Sequence, residues 1–139
     1  QGLLEGVCEY PAIFGHEGAG VVRAIGSNVR DKSIKVGDPV CLSFATCGHC
    51  EQCRAGHPAY CWNFTECNHS ARRYSDKKSA AKLADGTPVG SMYFGHSSFS
   101  KLSVVKDQSV VKYPGTDVEN MGIYAAVRAT CNSTHYWQD

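Results

Sequence analysis

The chain has 139 residues, 42% of them hydrophobic and 19% charged, with 14 Lys and Arg against 13 Asp and Glu for a formal net charge of +1. These are globular values that exclude wholesale disorder, and the length suits one domain with a modest core. The balanced charge gives no basic surplus for nucleic acid, and no apolar run approaches membrane-spanning length, so neither partner is expected.

In chain order, residues 1–11 read as a loop with two glycines and a proline, and no charged or apolar leader pattern marks a signal peptide. The start lacks Met, which leaves a processed chain or a fragment open. Pro11-Ala-Ile-Phe-Gly15-His16-Glu17-Gly18-Ala-Gly20 sets an imidazole beside a carboxylate at a glycine-rich turn. Glycine allows close backbone approach, and imidazole with a neighbouring carboxylate can serve as metal ligand or as acid and base. Taken alone, such a His is more often structural or exposed. Residues 18–27 read as a strand with glycine breaks, and Gly37-Asp38 as a turn before a second strand led by Pro39. Cys41 inside that strand reads as a core residue.

Residues 45–70 form a cysteine lobe. Cys47, Cys50, Cys53 and Cys61 follow the pattern C-x2-C-x2-C-x7-C. Four thiolates so close in sequence can surround one ion, and Zn²⁺ is favoured because it is redox-inert and takes tetrahedral sulfur at about 2.3 Å. Four sulfurs leave no open position, so one structural zinc per chain is expected. Two disulfides, or four reduced core thiols, are the alternatives, and bridges between such close neighbours are strained. Thiolate ligands favour a reducing compartment, so a cytoplasmic location is expected. The sequons at Asn63, Asn68 and Asn132 then carry no meaning. His49 and His57 are expected to face solvent, and Trp62 and Phe64 to pack against the lobe.

Residues 71–88 are polar and lysine-rich with an Asp85-Gly86 turn signal, and read as a mobile insertion. His96 reads as a surface-loop residue, with a place in a pocket beside His16, Glu17 and Cys8 as the alternative, and is followed by a β-rich run from Phe99 to Val105 and a strand over 108–113. Thr116-Asp-Val-Glu119 forms a capping box that opens a helix from about Asp117, with Val118, Met121, Ile123, Ala125 and Ala126 as its apolar face. Tyr136 and Trp137 read as folding back or meeting a partner. Many short strands, glycine turns and one late helix predict a mainly β fold, a barrel or sandwich.

Three segments arrive in one order: Gly15-His16-Glu17-Gly18-x-Gly20-x-Val22, then Val36-Gly37-Asp38-x-Val40, then the Cys47/50/53/61 lobe. Together they resemble the zinc-dependent medium-chain alcohol dehydrogenases. Leu42-Ser43-Phe44, Gly56-His57-Pro58-Ala59-Tyr60-Cys61 and Ser98-Phe99-Ser100 look closest to the aryl-alcohol branch. The resemblance implies a GroES-like β-barrel over residues 1–125, incomplete at its start, with the structural-zinc lobe at 45–70, a short C-terminal helix and a divergent tail at 126–139. It also implies a catalytic zinc on an upstream Cys, on His16 with Glu17 beside it, and on a downstream Cys.

The chain departs from that pattern. The upstream Cys would precede residue 1, and Cys8 sits at the wrong spacing. Ala125-Ala-Val-Arg-Ala-Thr-Cys131 replaces the glycine-flanked downstream Cys, leaving Cys131 as a late candidate ligand. No G-x-G-x-x-G follows a strand, so no Rossmann domain is read and NAD(P) is not expected to bind this chain alone. Three readings remain at this point: a dehydrogenase catalytic domain that transfers no hydride alone, a non-redox lyase, cyclase or isomerase using His16 and Glu17, and a zinc-stabilised scaffold. A small-molecule substrate fits the first two, and an unpaired barrel edge invites self-association.

Overall fold

The computed structural model describes residues 8–115 and 117–126. Its centre is a three-stranded antiparallel sheet in the order β1-β2-β5, made of β1 (Gly18–Val21), β2 (Pro39–Leu42) and β5 (Val110–Lys112). Gly18 pairs with Leu42 and Val21 with Pro39, and on the other side Val40 pairs with Lys112 and Leu42 with Val110. Three consecutive residues of the central strand, Val40, Cys41 and Leu42, are buried. A strand covered on both faces reads as a continuous apolar run, as this one does. Pro39 stands at its first position, where the missing N–H costs no ladder bond, while its carbonyl accepts from Tyr113 N–H at 2.9 Å. The turn before it has Gly37 at φ 95°, a region open to glycine, and Asp38 accepts from Lys35 N–H at 2.8 Å.

The expected strand over 18–27 stops at Val21. Beyond it Arg23, Ala24 and Ile25 are exposed, and Val29 N–H turns back onto the Gly26 carbonyl. The β-rich run from Phe99 to Val105 is not a strand either. Phe99, Leu102 and Val104 stand 71% exposed or more. Ser100 Oγ donates to the carbonyls of Ser97 and Leu102, and Ser103 Oγ to that of Ser97. Serine hydroxyls that serve the local backbone compete with ladder formation, and here they win.

Where a mobile insertion was expected, a hairpin forms from β3 (Ala81–Lys82) and β4 (Pro88–Val89), closed by Leu83 N–H to Thr87 O at 2.8 Å. Ser91 Oγ accepts from the N–H groups of Ala80 and Ala81, both at 3.0 Å, and ties the hairpin to the chain that follows.

The late helix is short: a 3-10 turn over Val118–Asn120 leads into α3 (Met121–Tyr124). Asp117 caps it by accepting from Asn120 N–H at 3.4 Å; of the expected Thr116–Glu119 box, Thr116 lies outside the described residues. Its apolar face is narrower than the pattern implied. Met121 and Ala125 are buried with Cys41 and Tyr113, whereas Val118 and Ile123 are exposed. Positions i and i+4 share one helix face, and only that face meets the sheet. Cys41 is the core residue it was expected to be, its thiol reaching Met121 O at 3.7 Å. Among the described residues no helix is long and apolar enough to cross a membrane.

Candidate functional site

The cysteine lobe is built from tight turns. Gly48 at φ 75° sharpens the corner after Cys47, and Cys50 leads into α1 (Glu51–Arg54), which carries Cys53 on the residue before its end. Gly56 at φ 81° closes that turn, with His57 N–H on Gln52 O at 2.8 Å. Pro58 opens a 3-10 turn over Pro58–Tyr60 that delivers Cys61. The lobe is anchored by Asn68, fully buried on α2 (Phe64–His69). Its Oδ1 accepts from Ala45 N–H, and its Nδ2 donates to the carbonyls of Ala45 and Phe64, each at 2.8 Å.

The four thiols converge. Sulfur–sulfur distances are 3.6 Å for Cys47–Cys61 and 4.0 Å for both Cys47–Cys53 and Cys50–Cys61. All four ligand atoms lie within 4.8 Å of one another. A tetrahedral ion with metal–sulfur distances near 2.3 Å requires sulfur–sulfur edges of about 3.8 Å, so the arrangement fits Zn²⁺. Disulfides need about 2.0 Å and are not formed. Cys47 N–H points at Cys61 Sγ at 3.5 Å and Cys50 N–H at Cys47 Sγ at 3.4 Å, an arrangement that favours thiolate.

Ionisation follows this geometry. Burial pushes the Cys47 thiol up, but the His49 N–H, the Asn63 side chain and the Cys50 N–H together bring it down to about 5. Cys53 is pushed up to about 12, first by burial and then by the neighbouring Cys50 thiol. A cation at the centre would deprotonate coordinating thiols outright. A fifth thiol, Cys67 on α2, stays outside the group and is raised to about 12, by burial and then by the charge of Cys61 and Cys47. His49 and His57 are exposed, as expected. Trp62 departs from expectation: it stands 66% exposed, while Phe64 turns in against Phe44, their centroids 5.4 Å apart. Neighbouring residues on a short helical entry point in different directions, and one of the two had to face water.

The second candidate is the His16–Glu17 loop, which enters β1. His16 Nε2 and Glu17 Oε1 are 3.9 Å apart, with the two side chains 47% and 46% exposed. The His16 ring lies against Phe94 with centroids 4.9 Å apart. Glycine at position 15 is required twice over: its φ is 99°, and a Cβ there would lie 2.5 Å from Ser98 Oγ and 2.6 Å from Phe99 N. At Gly18 a Cβ would meet Leu42 Cδ1 at 2.8 Å and Ser98 Cβ at 2.9 Å, whereas Gly20 faces open space. Gly15 and Gly18 therefore mark the approach of the Ser98–Phe99 segment.

His96, expected on the surface, is 1% exposed. Phe94, Gly95 and Ser97 all have positive φ, and this coil turns the imidazole inward until Nε2 donates to the His16 carbonyl at 3.2 Å. Burial lowers the imidazole's pKa below 6.5. A carbonyl only accepts, so the proton is assigned to Nε2; Nδ1 is buried and meets no hydrogen-bond geometry among the described residues.

Among the described residues, the Cys47/50/53/61 cluster is the one group of three or more His, Cys, Asp or Glu able to surround an ion. His16 and Glu17 are adjacent but are not joined by a third ligand there, so a three-ligand catalytic site is not assembled from the described residues. Cys8 is half-buried with its thiol raised by burial, and Cys131 lies outside the described residues. Sequence reasoning missed Asn68, and for His96 it favoured the surface-loop reading over a place beside His16. Gly95, whose Cβ would lie 2.6 Å from Ala45 Cβ, was the available hint of close packing beside His96.

Known proteins share this frame. The model of the alcohol dehydrogenase GroES-like domain matches residues 2–115. A probable alcohol dehydrogenase of a Pseudomonas species is 40% identical over an alignment of 113 residues that covers 79% of this chain and 34% of that protein. Geraniol dehydrogenase of Castellaniella defragrans is 41% identical over 104 residues, 73% of this chain and 26% of that protein. The crystal structure of an alcohol dehydrogenase zinc-binding domain protein from Burkholderia ambifaria superposes with a TM-score of 0.77 at 36% identity, over 88% of this chain and 32% of that one. Benzyl alcohol dehydrogenase from Acinetobacter calcoaceticus gives 0.70 at 35%, over 84% and 30%. The chain spans about a third or less of the curated relatives it matches. With its GroES-like fold and four-cysteine cluster, it belongs to the alcohol dehydrogenase family.

Proposed function

We propose that this chain is the GroES-like portion of a zinc-dependent, NAD(P)-linked alcohol dehydrogenase, with one structural zinc on Cys47, Cys50, Cys53 and Cys61. The observation that carries the reading is the convergence of the four sulfurs, all within 4.8 Å of one another with three of the six separations at 3.6–4.0 Å, near the edge of a tetrahedral thiolate site. The zinc crosslinks four points of the lobe and supplies no open position for chemistry. The domain boundaries proposed are residues 1–125, with the tail from 126 distinct, and the short strands are read as parts of a GroES-like barrel.

His16 and Glu17 are the residues proposed to work on substrate, with Cys131 the candidate metal ligand to test beside them. Geraniol and benzyl alcohol, named for two of the relatives, both carry a primary hydroxyl one carbon from a π system. A primary allylic or benzylic alcohol is accordingly the substrate class proposed. The chain alone is proposed to transfer no hydride and to bind no NAD(P). A reducing, cytoplasmic location keeps the thiols free for metal. Self-association through a sheet edge is proposed as the partner interaction, with no nucleic acid or membrane.

Elemental analysis of the purified chain tests the reading. About one zinc per chain is expected, lost in Cys47→Ser and retained in His16→Ala. A metal-free wild type that folds normally would refute the structural site. About two zincs, one of them lost in His16→Ala, would instead show a second metal held by His16.

A further inference from the structure

The carbonyls on either side of His16 are all taken, and all by one segment far away in sequence. Ser97 Oγ donates to Ile13 O at 2.6 Å, Phe99 N–H to Phe14 O at 2.9 Å, Ser98 N–H to Gly15 O at 3.0 Å, His96 Nε2 to His16 O at 3.2 Å and Ser98 Oγ to Glu17 O at 3.0 Å. Five consecutive acceptors are thus met by four consecutive residues. The match depends on Gly15 and Gly18, where a Cβ would collide with Ser98 and, at Gly15, with Phe99 as well. In the middle of this clamp stands His96, the residue that bonds the peptide of His16 itself.

We propose that His96 is a positioning residue for His16: its Nε2–H holds the His16 carbonyl and fixes the backbone from which the His16 imidazole projects. Burying an imidazole whose Nδ1 meets no hydrogen-bond geometry among the described residues is unfavourable, and a leucine of similar size would fill the space without that penalty. What leucine cannot supply is the donor at the His16 carbonyl. Holding a working side chain through groups that touch neither substrate nor ligand is the general way that sites are kept within fractions of an ångström. The proposal rests on the reading of His16 as a working side chain, but its test needs neither metal nor nicotinamide.

The test compares the full chain with His96→Leu and His96→Gln, reading the ring ¹H–¹⁵N correlation of His16 and the amide exchange of Ser98 and Phe99 by NMR. His96→Leu is expected to keep a cooperative melt, to shift or broaden the His16 ring signals, and to speed the two amides by about tenfold. His96→Gln offers an amide N–H toward the same carbonyl and is expected to return both readouts most of the way. An unchanged His16 signal in His96→Leu, or a His96→Gln indistinguishable from His96→Leu, overturns the proposal, because then His96 only fills space. Should His96→Leu not fold, His96→Met, which likewise lacks the N–H donor, takes its place with the same readouts, and an unmoved His16 ring there overturns the proposal equally. Loss of the functional reading would appear elsewhere, in the metal content, and would leave these signals as they are.

Discussion

The cysteine lobe and the His16–Glu17 loop carry the two chemical signals of this chain, and they are built in opposite ways. The lobe gathers its four sulfurs from 15 consecutive positions, Cys47 to Cys61, and the turns between them are set by local residues: Gly48, Gly56 and Pro58. The loop is held by a segment about 80 positions away, through bonds such as His96 to His16 and Ser98 to Glu17. A local site can be rebuilt by any ion that binds it. A site held across the fold exists only when the whole domain is folded.

The largest expected effect separates the two regions. Cys47→Ser should remove the zinc and lower stability by more than about 4 kcal/mol, as loss of a structural metal does in a small domain. Calorimetry with metal analysis would check this. If the lobe is a separate local unit, a core of the His16 loop protected in hydrogen exchange should survive in the mutant. Loss of protection in both regions at once would break the distinction.

Asn68→Ala tests the joint between the lobe and the sheet. It strips partners from Ala45 N–H and Ala45 O in a buried setting and from Phe64 O in a half-buried one. Leaving such groups unmet should cost about 3 kcal/mol, read as a fall in the denaturant midpoint. Glycosylation at this sequon would be incompatible with the same fold, since the side chain has no exposed surface.

Gly15→Ala and Gly20→Ala form the next pair. At position 15 both the positive φ and the collision with Ser98 and Phe99 oppose a side chain, so about 2–3 kcal/mol of destabilisation is expected. At position 20 none of the described residues comes within 4 Å and φ is ordinary, so the change should stay within about 0.5 kcal/mol. Equal melting temperatures for the two variants would deny the clamp its close approach.

Legibility in the sequence follows the same divide. The lobe is readable because thiol spacing is a local property that survives without knowledge of the fold. Cys41 as core, the Gly37-Asp38 turn and the strand after Pro39 are readable for the same reason. His96 reads as a surface residue because its neighbours are small and polar, and nothing nearby in sequence shows that Gly95 and two positive-φ residues turn it inward. The run from Phe99 to Val105 has strand composition, but its serines bond locally and no partner strand among the described residues arrives. The helix face is narrower than its pattern because periodicity gives the residues that share a face, and the tertiary contact decides how many of them are covered. Trp62 departs from its expectation for the same reason on a smaller scale.

The smallest expected effect places local and distant contacts on one side chain. Asp38 Oδ2 accepts from Lys35 N–H within its own turn at 2.8 Å and pairs with Lys112 Nζ on β5 at 2.8 Å. The Lys112 hydrogen bond, followed by the Lys35 N–H, holds its carboxyl below 3.8. A folded-state pKa that is depressed contributes stability fully above the unfolded carboxylate value, about 3.9, and loses it as pH falls through the folded value. Asp38→Asn keeps an acceptor for Lys35 N–H but abolishes both the charge and its titration. The urea midpoint of Asp38→Asn should therefore lie slightly below wild type at neutral pH, with the gap closing as pH falls below about 4. A gap that persists unchanged at low pH would mean that the local turn bond, and not the pair with Lys112, is what Asp38 contributes.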